Sequence, residues 1–105
     1  MDTMSIIYVV CQDEAEAKKI SEKLLKKKLC ACTNIIDGIL SMYLWQNKVQ
    51  SSEETILLIK AISENVEEIK AVILENHSYE IPCIFSFDVD NIDSKYFAWM
   101  VGALK

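Results

Sequence analysis

The chain has no arginine, one histidine, one proline and only two glycines in 105 residues. Every cation is therefore a lysine, and 11 of them face 16 carboxylates for a formal net charge of −5. Binding along a phosphate backbone needs a basic footprint, and base or phosphate recognition favours the arginine fork, so nucleic acid is not an expected partner. An anionic membrane surface is disfavoured on the same ground. The missing fork also argues against hydrolysis of phosphate esters or acyl phosphates. With 51% hydrophobic and 26% charged residues, the chain is too apolar for disorder away from its ends. Long apolar runs are lacking as well. The earliest, residues 6–11, falls far short of the ~20 residues of a spanning helix and has no basic stretch before it. A cytoplasmic protein without anchor or leader is the expectation.

Cysteine is present, but no C-x-x-C pair is. Cys11, Cys30, Cys32 and Cys83 are expected as reduced thiols, and their spacing speaks against a zinc ribbon or a thioredoxin-like site. The length suits one domain, residues 1–105, with residues 1–4 as a loose N-terminus.

The pattern predicts an α+β fold. Residues 6–11 (IIYVVC) read as a strand. A helix follows over 13–29, with Ala17, Ile20, Leu24 and Leu25 on its apolar face, Asp13 as cap and Glu16 as capping-box partner. Strands are predicted at 30–36, 39–45 and 55–61, with a turn at Asp37-Gly38 and a polar connection over 46–54. Ser63 is the expected cap of a helix carrying Val66, Ile69, Val72 and Ile73. Pro82 marks the start of a strand over 83–89, and Asp93 caps a short C-terminal helix with Phe97, Met100 and Leu104. With residues 39–45 and 55–61 taken as a long hairpin arm, this is the ferredoxin-like βαββαβ sandwich. A sheet with one wet face should alternate apolar and polar residues. Ile6 to Val10 and Ile56 to Ile59 do not, so both faces need cover and the second is expected to meet copies of the same chain.

For chemistry, the stretch 75–84 (ENHSYEIPCI) holds the only histidine and the only proline. His77 and Cys83 are a base and a nucleophile without a third, orienting group, so catalysis is not expected. Metal binding is better motivated. Cys30 and Cys32, two apart on a predicted strand, project from one face, and thiolate with imidazole suits soft or borderline ions such as Cu(I) and Zn(II).

The segments "LCACTNIIDGILSMYLWQNKV", "ILLIKA" and "HSYEIPCI" together resemble the CutA divalent-cation tolerance family. The family pattern falls on Ala31, Cys32 and Asn34; on Ser41, Tyr43 and Trp45; on Lys60; and on His77, Tyr79, Glu80 and Pro82. "CQDEAEA" and "YFAWM" fit as well, so the likeness spans nearly the whole chain. Ser78, Asn47, Ala61 and Cys83 depart from it, and Cys83 replaces a common glutamate by a soft ligand. The resemblance implies a tight homotrimer with inter-subunit clefts similar to those of PII-type proteins, a link to copper and other divalent metals, and no enzymatic activity. It implies Asn34, Tyr43, Trp45, Lys60, Tyr79 and Glu80 at the cleft or interface. Cys11, Cys32, His77 and Cys83 are the expected ligands for Cu or Zn, with Cys11 and Cys32 on neighbouring strands and no metal required for folding. The other reading is a PII-like signalling or scaffold module whose cleft takes a small molecule or a protein partner.

Overall fold

A computed structural model describes residues 3–105. The elements run β1 (Met4–Cys11), α1 (Glu14–Lys26), β2 (Cys32–Trp45), β3 (Lys48–Ile62), α2 (Val66–Asn76), β4 (Ile84–Val89) and α3 (Ser94–Ala103). The strands form one antiparallel sheet in the order β2-β3-β1-β4, which is the βαββαβ plan with one helix appended.

The pairing of β1 with β3 sorts the side chains by parity. Ile7 faces Ile59, Val9 faces Leu57 and Cys11 faces Thr55, and this face is sealed. Ala17, Ile20 and Leu24 of α1, with Ile69 and Ile73 of α2, close over it to make the core. The opposite parity, Ile6, Tyr8 and Val10 against Lys60, Leu58 and Ile56, looks the other way. Met100 of α3 joins Met4 and Ile62 in a second cluster at one end of that face, so the C-terminal helix covers more than its length suggested. The rest of the face, with stacked Tyr8 and Phe85, stays open.

Side-chain caps start two of the helices. Asp13 accepts a hydrogen bond from the Glu16 backbone N–H at 2.9 Å, and the Glu16 carboxylate takes the Gln12 N–H at 3.0 Å, so the capping box closes one residue early. Asp93 caps α3 through the Tyr96 N–H at 3.0 Å.

Five local expectations need correction. Asp37-Gly38 is a bulge inside β2, not a turn: the register slips between Ile36 and Ile39, Gly38 sits at φ +66°, and Asp37 accepts the Thr55 hydroxyl at 2.8 Å. Most of the polar stretch 46–54 is strand, because a two-residue turn at Gln46-Asn47, both at positive φ, closes the hairpin directly. Polar side chains were no bar to pairing in an arm that leaves the globule. Leu25 is exposed, because α1 turns it off the core stripe. Ser63 does not cap α2; its hydroxyl turns to Ser5 and Asp88, and a short 3₁₀ turn leads into the helix. Finally, Met4 is buried in the sheet and the Thr3 carbonyl accepts the Ser63 N–H, so residues 3–4 are not loose; residues 1–2 of the expected loose terminus lie outside the described residues.

Candidate functional site

The end of β1, the start of α1 and the turn after α2 converge on one cluster. Cys11, Glu16 and His77 place their donor atoms within 4.8 Å of one another. His77 is held from both sides. Its Nε2 lies 2.7 Å from the Val10 carbonyl, which can only accept, and its Nδ1 receives the Tyr79 backbone N–H at 3.0 Å. Those partners make Nε2 the donor and Nδ1 the acceptor and leave neither nitrogen free. Glu16 bridges the same turn through the Ser78 N–H at 2.9 Å, and its carboxylate is 3.7 Å from Nε2. Partial burial pushes that carboxyl up, but the Gln12 and Ser78 bonds outweigh it and hold the group below the usual carboxylate range. Burial first, and then the Glu16 and Asp13 carboxylates, push the Cys11 thiol up to about 12.

A metal ion therefore meets a protonated thiol, an occupied imidazole and a carboxylate already bonded twice. As they stand, these groups lock the 77–82 turn onto β1 and α1; they do not present an open coordination site. An ion entering here would have to displace the thiol proton and the Val10 contact together.

Beside this lock lies a groove of about 940 Å³ between the hairpin arm and the turn. Tyr43, Trp45, Glu54, Tyr79, Glu80 and Cys83 line it with Val10 and Met42. The Tyr79 hydroxyl donates to Glu54 at 2.5 Å, tying the turn to β3; burial and this bond keep the phenol protonated well above its ordinary range.

The expected metal ligands do not form one set in the protomer. Cys11 and His77 come together. Cys83 is exposed in the groove beside Val10, whose side chain points to the face opposite Cys11. Cys32 is not on a strand adjoining Cys11: β3 lies between β1 and β2, and Cys32 pairs with Lys60 near the other end of the sheet. Nor does a strand carry Cys30 and Cys32 together, since β2 begins at Cys32 and Cys30 is buried before it. Of the expected cleft residues, Tyr43, Trp45, Tyr79 and Glu80 meet in the groove, while Asn34 and Lys60 lie on the open sheet face. Sequence reasoning saw Glu16 only as a cap and missed Glu54. Nothing local marks Glu54, since its partner is 25 residues away.

The family description "CutA1 divalent ion tolerance protein" matches residues 5–103. A chloroplastic CutA of Arabidopsis thaliana is 33% identical over 95% of this chain, which spans about half (55%) of that relative's length. The crystal structure of the divalent ion tolerance protein CutA1 from Ehrlichia chaffeensis superposes with a TM-score of 0.95 at 28% identity, covering 100% of this chain and 98% of that one. A periplasmic divalent cation tolerance protein CutA from Archaeoglobus fulgidus gives 0.92 at 29% identity, covering 97% and 99%. Relatives thus carry differing compartment labels, and no helix among the described residues is long and apolar enough to cross a membrane. With residues 5–103 matched and this four-stranded antiparallel sheet shared with solved CutA structures, the chain belongs to the CutA1 divalent ion tolerance protein family.

Proposed function

We propose that this protein is a homotrimer of single-domain protomers that takes up soft divalent-type cations, copper or zinc, at the groove between the arm and the 77–83 turn. The role is binding and assembly, not catalysis. Cys83 carries this reading: it is the one exposed thiol, it lies in a groove with the Glu54 and Glu80 carboxylates, and the Cys11 and His77 donors are closed by the lock. A thiolate beside carboxylates suits a borderline ion better than calcium or magnesium. The assembly is supported by an open sheet face and an arm that leave Leu40, Met42, Leu44, Trp45 and Val49 exposed in a single chain, a larger apolar display than a monomer ordinarily carries. Four free cysteines, one of them exposed, suit a reducing compartment and favour the cytoplasm.

Calorimetry with zinc, and with copper under reducing conditions, tests the metal site. Cys83→Ser should abolish most of the heat, whereas His77→Ala should leave it largely unchanged. Loss of the heat in His77→Ala with retention in Cys83→Ser would move the site to the buried cluster. A second reading is favoured by the groove itself. Its size and its mixture of aromatic walls with a few polar groups match a small-molecule pocket, as in a PII-like signalling or scaffold module. Thermal-shift screening with small molecules separates the two, because a metal-only protein responds to none of them.

A further inference from the structure

Tyr79 spans the groove from the turn to the arm. Its backbone N–H donates to His77 Nδ1 at 3.0 Å, and its ring tilts against the imidazole with centroids 4.9 Å apart. Its hydroxyl reaches Glu54 on β3 at 2.5 Å, the length of a charge-assisted bond. Among the described residues, no other side-chain hydrogen bond or ion pair joins residues 39–54 to residues 77–83. Glu54 is partly buried, has no cation within ion-pair distance among those residues, and lines a groove that holds no cationic side chain. Its carboxylate is therefore answered by a phenol alone. That phenol stays protonated, because burial and then the Glu54 bond hold it well above its ordinary range, so it offers a cation no oxyanion of its own.

We propose that Tyr79 is the gate of the groove: its hydroxyl occupies the Glu54 carboxylate, and Glu54 serves a cation fully only when that hydroxyl lets go. The inference rests on reading the groove as the cation site and names the residue that regulates it. The physical reason is competition for one charge. The phenol hydrogen points its positive end at the carboxylate, so hydroxyl and cation each weaken the hold of the other. The apparent affinity of Glu54 for a cation is then reduced to the fraction of chains in which the hydroxyl is released. Glu80 and Cys83 line the same groove and carry no side-chain hydrogen bond among the described residues, so the restraint falls on the arm side of the site alone. Tyr79 acts through Glu54 and is a positioning residue, not a ligand.

The test is zinc calorimetry on the full chain, reduced, at neutral pH, with Tyr79→Phe, Glu54→Gln and the double variant. Tyr79→Phe keeps the ring against His77 and removes only the hydroxyl, and circular dichroism checks that each variant folds. Tyr79→Phe should bind zinc several-fold more tightly than wild type, the opposite of what losing a merely structural tie would do. In the Glu54→Gln background the same change should have no effect. Zinc should also shift the near-ultraviolet tyrosine band of wild type to shorter wavelength as the phenol loses its hydrogen bond, with no such shift in Tyr79→Phe. Equal or weaker binding by Tyr79→Phe, or a gain that persists in the Glu54→Gln background, would overturn the gate. Heat that survives Cys83→Ser would overturn the thiol reading, while a gain from Tyr79→Phe would still support the gate. No zinc heat from wild type and Tyr79→Phe alike would overturn both.

Discussion

On the helix side of the sheet Ile7, Val9, Leu57 and Ile59 are fully shielded, while on the other side Phe85 and Phe87 keep 48% and 50% of their surface in water. Both faces carry mostly apolar side chains on the same strands. The difference is the supply of cover. Two amphipathic helices serve one face, whereas α3 reaches only the Met4–Ile62 end of the other, and the arm reaches past both. A chain that places aromatic side chains where its own helices cannot reach is complete on one face only.

This contrast can be broken most forcefully from the sealed side. Ile7→Ala or Leu57→Ala removes a fully buried side chain between sheet and helices, and unfolding should cost about 2–5 kcal/mol less in chemical denaturation. The matching change on the open face, Phe87→Ser, should leave the stability of an isolated protomer nearly unaltered. Trp45→Ala comes next. The indole stands at the arm tip, 55% exposed, and packs in no core of its own chain. Its removal should weaken association by about 2 kcal/mol, seen as dissociation on dilution before any change in the protomer's circular dichroism.

Electrostatics sharpens the comparison at the end of β1. Glu16→Gln keeps the shape of the side chain but turns an amide NH₂ toward one of two N–H donors, Gln12 or Ser78. A loss of about 1–2 kcal/mol is expected. Because the folded Glu16 carboxyl titrates below its ordinary range, its contribution is full above that range and is lost as pH falls through the folded value. The variant should therefore show a flatter acid limb than wild type. The two core thiols act at the opposite end of the scale. Burial is the largest cause holding both Cys11 and Cys30 at about 12 against an ordinary 9.0. Their contribution is full below pH 9 and declines as pH rises from 9 toward 12, so a Cys11→Ala, Cys30→Ala double variant should lose less stability than wild type across that window. A small effect is expected at the bulge. Gly38→Ala meets open space but must hold φ +66°, at a cost of about 1 kcal/mol in thermal unfolding.

Much of this plan was legible in the residues. Periodicity placed β1, α1, α2 and α3, and the lack of alternation in 6–10 and 56–59 announced an unfinished face. What escaped was set by contacts distant in sequence. Asp37-Gly38 has turn chemistry, but Thr55 from the facing strand holds it as a bulge. The polar residues of 46–54 belong to a strand because the Gln46-Asn47 turn fixes their register. His77 looked like a ligand, and only the positions of Val10 and Tyr79 reveal that both ring nitrogens are engaged. Cys11 and Cys32 seemed neighbours because chain order does not disclose that β3 slots between β1 and β2.

The central claim is that the open face and the arm are finished by copies of the same chain. Multi-angle light scattering across a dilution series into the low micromolar range measures this directly. The account predicts a mass three times that of the chain, constant over the series in wild type and falling with dilution in Trp45→Ala. A wild-type mass equal to one chain, with the protein still soluble and folded, would contradict it.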